Sequence, residues 1–200
     1  MTKNQIREPR QERSIDKKNK IIETAYEVFS TVGYYNTNTA DIAKKAGVST
    51  GIVYGYFKDK RDILLYVTKI YMEKVSLPLA EYLSGIKEPF DLKTEVPKLL
   101  EIVIKIHKSN ANLHNTLHSL AVTDESVSRE FLHLEERITE ETAKRLGELG
   151  VSTEHLKEKA HIAMNLIQSF AHEYVYDKHS YINYKEMKKS VCKMIVVLFE

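Results

Sequence analysis

One cysteine, four prolines and seven glycines are all that the 200 residues hold of those types, and each scarcity removes a class of protein. A single Cys cannot close an internal disulfide, so a disulfide-built secreted scaffold is excluded and a reducing cytoplasm is the expected compartment. So few Gly and Pro leave too few turn signals for an all-β fold. No apolar run is long enough to cross a bilayer. Residues 1–7 are polar, with no signal-peptide core behind them, so neither a membrane span nor a secretion leader is expected. The sequence also lacks a glycine-rich phosphate loop, a nucleophile beside a base, a His-Glu-x-x-His pattern and a paired-carboxylate signature. That argues against an enzyme, and no cofactor is expected.

What the chain does have is helical periodicity. Its hydrophobic content of 42% suits one large domain, or a small one joined to a medium one. Residues 1–14 read as a flexible, mildly basic arm. Ile21, Ala25, Val28 and Val32 then recur at helical spacing, and Gly33 stands where a C-terminal cap belongs. Asn38 and Asp41 read as a capping box opening a short helix with Ile42, Ala43 and Ala46, which Gly47 breaks. Ser49 reads as the N-cap of a second short helix through Phe57. Asp59 and Asp62 repeat the capping spacing before a long helix, which Pro78 should kink or end. Thr94, Asn110, Thr123 or Asp124, Ser152, and Asn183 with Glu186 mark further starts. The expectation is about nine helices and no strand.

Net charge is only +2. Residues 1–60 hold 11 Lys+Arg against 7 Asp+Glu, and residues 61–200 hold 19 against 21. A basic head on a slightly acidic body agrees with a nucleic-acid contact at the N-terminal end, although so small an excess does not argue it alone.

Two short helices joined at a Gly form the layout of a helix-turn-helix. The helices cross closely at a small residue, Ala43. The turn needs a residue tolerant of positive φ, Gly47. Val48, Val53 and Phe57 can fix the angle of the second helix, whose N-terminal residues then meet base edges in the major groove. The run Thr39-x-x-Ile42-Ala43-x-x-Ala46-Gly47-Val48-Ser49-x-Gly51-x-Val53-Tyr54-x-Tyr56-Phe57-x-x-Lys60-x-x-x-Leu64, with Ile21-Ile22-x-x-Ala25-x-x-x-Phe29-x-x-x-Gly33-Tyr34 before it, resembles the TetR family of bacterial regulators. The likeness is dense over residues 17–67 and is one of layout beyond them.

The resemblance implies an all-α chain. A helix-turn-helix DNA-binding domain would occupy residues 15–75 with its motif at 38–57, and a helical effector-binding and dimerisation domain residues 76–200. It implies that Thr39 and Lys60 meet phosphates, that Ser49, Thr50, Gly51 and Ile52 open the recognition helix towards bases, and that Tyr54 and Tyr56 touch the DNA backbone. Gly55 departs from the pattern, since relatives often carry a larger side chain there, so base reading rests on few groups.

The partners implied are double-stranded DNA bearing an inverted repeat, a second copy of the chain, and a small, mainly apolar or aromatic effector that releases the DNA. A regulator without an effector is the alternative. The last two helices carry more than one apolar stripe, which implies burial on two sides. Ile162, Leu166, Phe170, Val191, Ile195 and Leu198 are the expected dimer contacts. The middle helices offer Tyr82, Phe90 and His133 among their aromatic and His residues, and Tyr66, Tyr71, His107, His114, His118, Phe131 and Tyr174 are the expected effector contacts. His114 and His118 stand four apart, a spacing that can bind a metal, but no third ligand is in register and no metal is expected.

Overall fold

The computed structural model describes residues 12–200, and among them are nine helices and no strand. In chain order they are α1 (Glu12–Thr31), α2 (Thr39–Ala46), α3 (Thr50–Tyr56), α4 (Lys60–Gly85), α5 (Leu92–Ser109), α6 (Ala111–Ala121), α7 (Glu125–Glu148), α8 (Leu156–Tyr176) and α9 (Tyr184–Phe199). Of the arm expected over 1–14, residues 1–11 lie outside the described residues, while Glu12, Arg13 and Ser14 already belong to α1.

The helices form two compact units. One runs up to Glu73 and takes in Asn110–Phe131; the other comprises Lys74–Ser109 and Leu132–Glu200. The sequence suggests one boundary near residue 75, whereas α6 and the start of α7 group with the first unit. In that unit α1 packs on α2 and α6, and α2 on α3. Ile21, Ala25 and Phe29 are buried with Ile42, Ala43, Val53, Phe57, Ile63 and Val67. Val32 continues the α1 spacing but is exposed, because α1 ends at Thr31 and the chain turns away through Gly33 at φ +93°. In the second unit α5 packs on α8 and α9, and these pack on each other. The core there is Leu100, Val103, Ile104, Ile167, Phe170, Ile195 and Phe199.

Local capping explains most helix starts. Asn38 and Asp41 form the complete reciprocal box at the head of α2. Asp59 accepts from the Asp62 amide at 2.8 Å, and Asp62 reaches back to the Lys58 amide at 3.0 Å. Asp124, rather than Thr123, caps α7 through the amides of Ser126 and Val127. Asn183 caps α9.

Other starts differ from the reading above. Ser49 precedes α3 but makes no side-chain cap. Asp91, not Thr94, opens α5, accepting from the Lys93 and Thr94 amides, so Pro97 lies beyond the first turn. Asn110 precedes α6 yet accepts from the Tyr26 hydroxyl at 2.9 Å instead of capping. Helix α8 begins at Leu156 after a left-handed His155, four residues beyond Ser152. Pro78 lies inside α4, which continues to Gly85.

Candidate nucleic-acid interface and effector cavity

The helix-turn-helix is built from the turn outward. Gly47 holds φ +71° and donates its amide to the carbonyls of Ala43 and Lys44, and the Val48 amide donates to Ala43 at 3.0 Å. A left-handed residue here is what lets α3 leave α2 at a sharp angle without Cβ strain. Val53 and Phe57 are fully buried beneath α3. The Phe57 ring meets Tyr66 edge-on at 5.5 Å, and the Lys18 ammonium lies 4.1 Å from the Tyr66 ring centre, donating to the Tyr66 hydroxyl at 3.0 Å. The apolar side of α3 is therefore pinned, and its outer side is left to solvent.

That outer side carries the expected DNA-contacting residues. Ser49, Gly51 and Tyr54 are exposed, while Thr50, Ile52 and Tyr56 are half-buried. Thr39, at the start of α2, shares a 2.9 Å hydrogen bond with the Tyr54 hydroxyl, so one hydroxyl pair bridges the two motif helices at the surface. The Tyr56 hydroxyl pairs with Ser14 of α1 at 2.8 Å. A Cβ added at Gly55 would meet nothing within 4 Å, so packing does not require glycine there. Ser14 and Lys18 are the supports that sequence reasoning missed, since a serine and a lysine on an amphipathic helix carry no signal of a long-range partner.

Lys60 is placed differently from the expectation of a phosphate ligand. Its ammonium donates to the carbonyls of Tyr34 at 2.8 Å and Thr37 at 2.7 Å, and lies 4.2 Å from the Tyr34 ring centre. Partial burial pushes its pKa below the ordinary lysine value. Two of its three donors thus tie the α1–α2 loop to the head of α4. Burial likewise raises the Tyr34 hydroxyl, with the nearby Asp59 charge adding to it. Next to Lys60, Arg61 forms a bidentate pair with Asp124.

The expected effector contacts fall into separate groups, of which the largest joins Tyr71, His114, His118 and Phe131. Tyr66 is occupied beneath α3. Tyr71 and His114 are buried and hydrogen-bonded to each other at 2.8 Å, and in the first unit the His118 ring lies tilted against His114 at 4.1 Å and against Phe131 at 4.6 Å. His107 and Tyr174 lie in the second unit in two ring clusters, one with His172 and Tyr176, the other with Phe170 and Tyr184. Burial pushes the His107 pKa down. None of the seven lines the apolar cavity of the second unit.

That cavity has a volume of about 80 Å³, and Leu83, Ile86, Phe90, Leu146, Met164 and Phe199 are among its walls. Tyr82 and Phe90, from the wider aromatic set, do line it. The aliphatic walls carried no separate signal, because a cavity lining and a core read alike in sequence.

The expected dimer contacts also divide. Phe170, Val191 and Ile195 are buried within the single chain, where α8 and α9 meet α5. Ile162 is exposed, and Leu166 and Leu198 are half-buried. Met194 and Val197, which the sequence reading passed over, are exposed on α9.

Among the described residues no helix is long and apolar enough to cross a membrane, and no cluster of three metal-ligating side chains occurs.

Comparison with known proteins agrees with this geometry. The family model for bacterial regulatory proteins of the tetR family matches residues 21–67. The HTH-type transcriptional regulator HbdR of Aromatoleum sp. is 36% identical over 76 residues, 38% of this chain and 33% of that protein. The fatty acid metabolism regulator protein of Bacillus subtilis is 33% identical over 139 residues, 68% of this chain and 66% of that protein. The chain thus spans a third of the first relative and just under two thirds of the second. A TetR-family transcriptional regulator from Mesorhizobium loti shares the fold at TM-score 0.75 and 20% identity, over 94% of this chain and 97% of that one. These relatives are regulators of transcription and not enzymes. The motif built on Gly47 and the helical arrangement behind it agree with them, and the chain belongs to the TetR family of bacterial regulatory proteins, whose DNA-binding unit is this helix-turn-helix.

Proposed function

We propose that the chain is a homodimeric repressor, held on an inverted-repeat operator and released from it by a small, mainly apolar effector. The observation that carries the DNA-binding part is the exposed edge of α3 on a buried support: Ser49, Gly51 and Tyr54 face solvent while Val53 and Phe57 are locked beneath them. Thr50 and Ile52 supply a hydroxyl and a methyl-bearing side chain for base edges, and Thr39, Tyr54 and Tyr56 supply hydroxyls for phosphates. In this reading residues 15–75 serve DNA and residues 76–200 serve effector and dimer, in the cytoplasm.

Dimerisation is supported by apolar side chains left in water on α8 and α9. Ile162, Met194 and Val197 are exposed there, with Leu166 and Leu198 beside them. A second copy would cover them and set two recognition helices on two half-sites. The effector is supported by the cavity of the second unit. A hydrocarbon lining accords with the printed name of the Bacillus subtilis relative, which refers to fatty acid metabolism. Helix α4 contributes its first turns to one unit and its last turns to the other, a covalent route between the two sites.

The test is fluorescence anisotropy of the full chain with the inverted repeats flanking its gene, with and without medium-chain hydrocarbon compounds. Two chains per operator and release by a compound are expected. One chain per site overturns the dimer. Affinity unchanged across the compounds leaves a DNA-binding regulator without an effector.

A further inference from the structure

The cavity of the second unit has an unusual balance of charge. Its walls come from α4, α5, α7, α8 and α9, and among the described residues that line it there is no Lys, Arg or His. The polar groups that do line it are Tyr82, Glu95, Thr142 and Gln168. Two of these four are already engaged with each other. The Tyr82 hydroxyl donates to one oxygen of Glu95 in a short hydrogen bond, and Lys98 donates to the other at 2.9 Å. These bonds hold the Glu95 carboxyl below the usual carboxylate range, so it remains an anion with its charge balanced by Lys98.

The other nearby cation, Arg145, is next in sequence to the lining residue Leu146 but is directed elsewhere. Its guanidinium donates to the carbonyls of Leu83 and Ile86 and pairs with Glu148. Thr142 and Gln168 are half-buried. They belong to the lining from α7 and α8, the only polar residues there besides Tyr82 and Glu95 among the described residues.

From this lining we infer that the cavity takes an uncharged ligand: a hydrocarbon body with one hydrogen-bonding group, an amide or hydroxyl, seated against Gln168 and Thr142. The inference rests on the effector reading above and adds the charge and the anchor. The physical reason is desolvation. A carboxylate or phosphate drawn into this lining would lose its water, meet no cation and face the Glu95 anion. A cationic head would find Glu95 already paired with Lys98. A neutral amide both donates and accepts, and Gln168 and Thr142 offer both partners. A lining with few polar groups binds mainly by area, and its few hydrogen bonds decide which head is accepted.

The test is isothermal titration calorimetry of the full-length chain, without DNA, at pH 7.5. Four probes share one eight-carbon body: octanamide, 1-octanol, octanoate and octyltrimethylammonium. Octanamide and octanol are expected to bind at least about tenfold more tightly than either ion. The Gln168→Leu/Thr142→Val double variant keeps the shape of the lining and should lose about tenfold for octanamide. Should that variant melt early, Gln168→Met alone replaces it and should lose part of the same preference.

Octanoate binding as tightly as octanamide overturns the inference. So does octanamide affinity unchanged in the variant, or no binding by any of the four. Because no DNA is present, failure of effector release and failure of the ligand class are read separately. A chain that binds octanamide but keeps its operator retains the cavity assignment and loses the release mechanism.

Discussion

Arg61 holds Asp124 with two hydrogen bonds, Nε to Oδ2 at 2.7 Å and Nη2 to Oδ1 at 2.8 Å, while the same carboxylate caps the first turn of α7. One acidic side chain thus joins the head of α4, next to the DNA-reading motif, to the head of α7. Asp124→Asn keeps an N-cap and loses the ion pair; Asp124→Ala loses both. Thermal melts should show a small loss for Asn and about 1 kcal/mol more for Ala. Arg61 holds the Asp124 carboxyl below its ordinary range. Its contribution is therefore full above the unfolded value of about 4 and fades as pH falls through the lower folded value. The gap between wild type and Asp124→Asn should close below pH 4, and a gap constant from pH 7 to 3 contradicts the pairing.

Lys60 supports a loop before it supports DNA. Lys60→Met removes two charge-assisted bonds to Tyr34 and Thr37 carbonyls, and the expected loss is about 1.5–3 kcal/mol per charged group removed. Unfolding in urea measures it. The slope of log affinity for DNA against log salt should change by less than the roughly 0.9 expected for a full phosphate contact. A full unit of slope with unchanged stability returns Lys60 to the phosphate.

Thr39 and Tyr54 share a hydroxyl contact at the surface of the motif. Thr39→Val and Tyr54→Phe should each weaken binding to specific and random DNA alike, by about 1 kcal/mol. The double variant should lose less than the sum, because a shared phosphate is lost once. Strict additivity in gel-shift titrations would show that the two act separately.

The two glycines of the motif should respond oppositely. Gly47→Ala places a Cβ at φ +71° and should destabilise by about 1–2 kcal/mol. Gly55→Ala meets open space and should stabilise by about 1 kcal/mol, raising Tm by about 2–4 °C. If Gly55→Ala also weakens operator binding, the glycine serves close approach of DNA and not the fold.

On α9 the distinction between core and interface can be read directly. Ile195→Glu, buried at 1% exposure, should unfold the second unit. Met194→Glu with Val197→Glu, both exposed, should leave the helical circular dichroism intact and yield monomers in light scattering. A dimer that survives this pair lies on another face.

The motif was legible because its information is local. Asn38, Asp41, Gly47 and Phe57 act within twenty residues, and their spacing states their geometry. Local rules also misplaced some ends. Ser152 has a better capping side chain than His155, yet α8 starts at Leu156, and Thr94 yields to Asp91. Burial partners were not legible. Two apolar stripes on α9 announce two buried sides, and both prove to lie inside the chain, Val191 and Ile195 from one and Val196 and Phe199 from the other, while the exposed apolar residues, Met194 and Val197, belong to neither stripe. The cavity was hidden for a related reason: aromatic and His residues draw notice, while most of its lining is aliphatic. Lys60 fitted its motif position and still took carbonyls as partners, because the position in a pattern does not fix where a long side chain ends.

The clamp of Arg145 on the end of α4 has a consequence for the order of events as the chain is made. The carbonyls of Leu83 and Ile86 are satisfied by a guanidinium about sixty residues downstream. At a synthesis rate of about 5–20 residues per second, that partner leaves the ribosome several seconds later. The helix-turn-helix and its caps lie wholly within the part already made, whereas the last turn of α4 waits for α7. The DNA-reading head is thus set to mature first on the ribosome, and the apolar cavity of the second unit closes only when the downstream helices arrive.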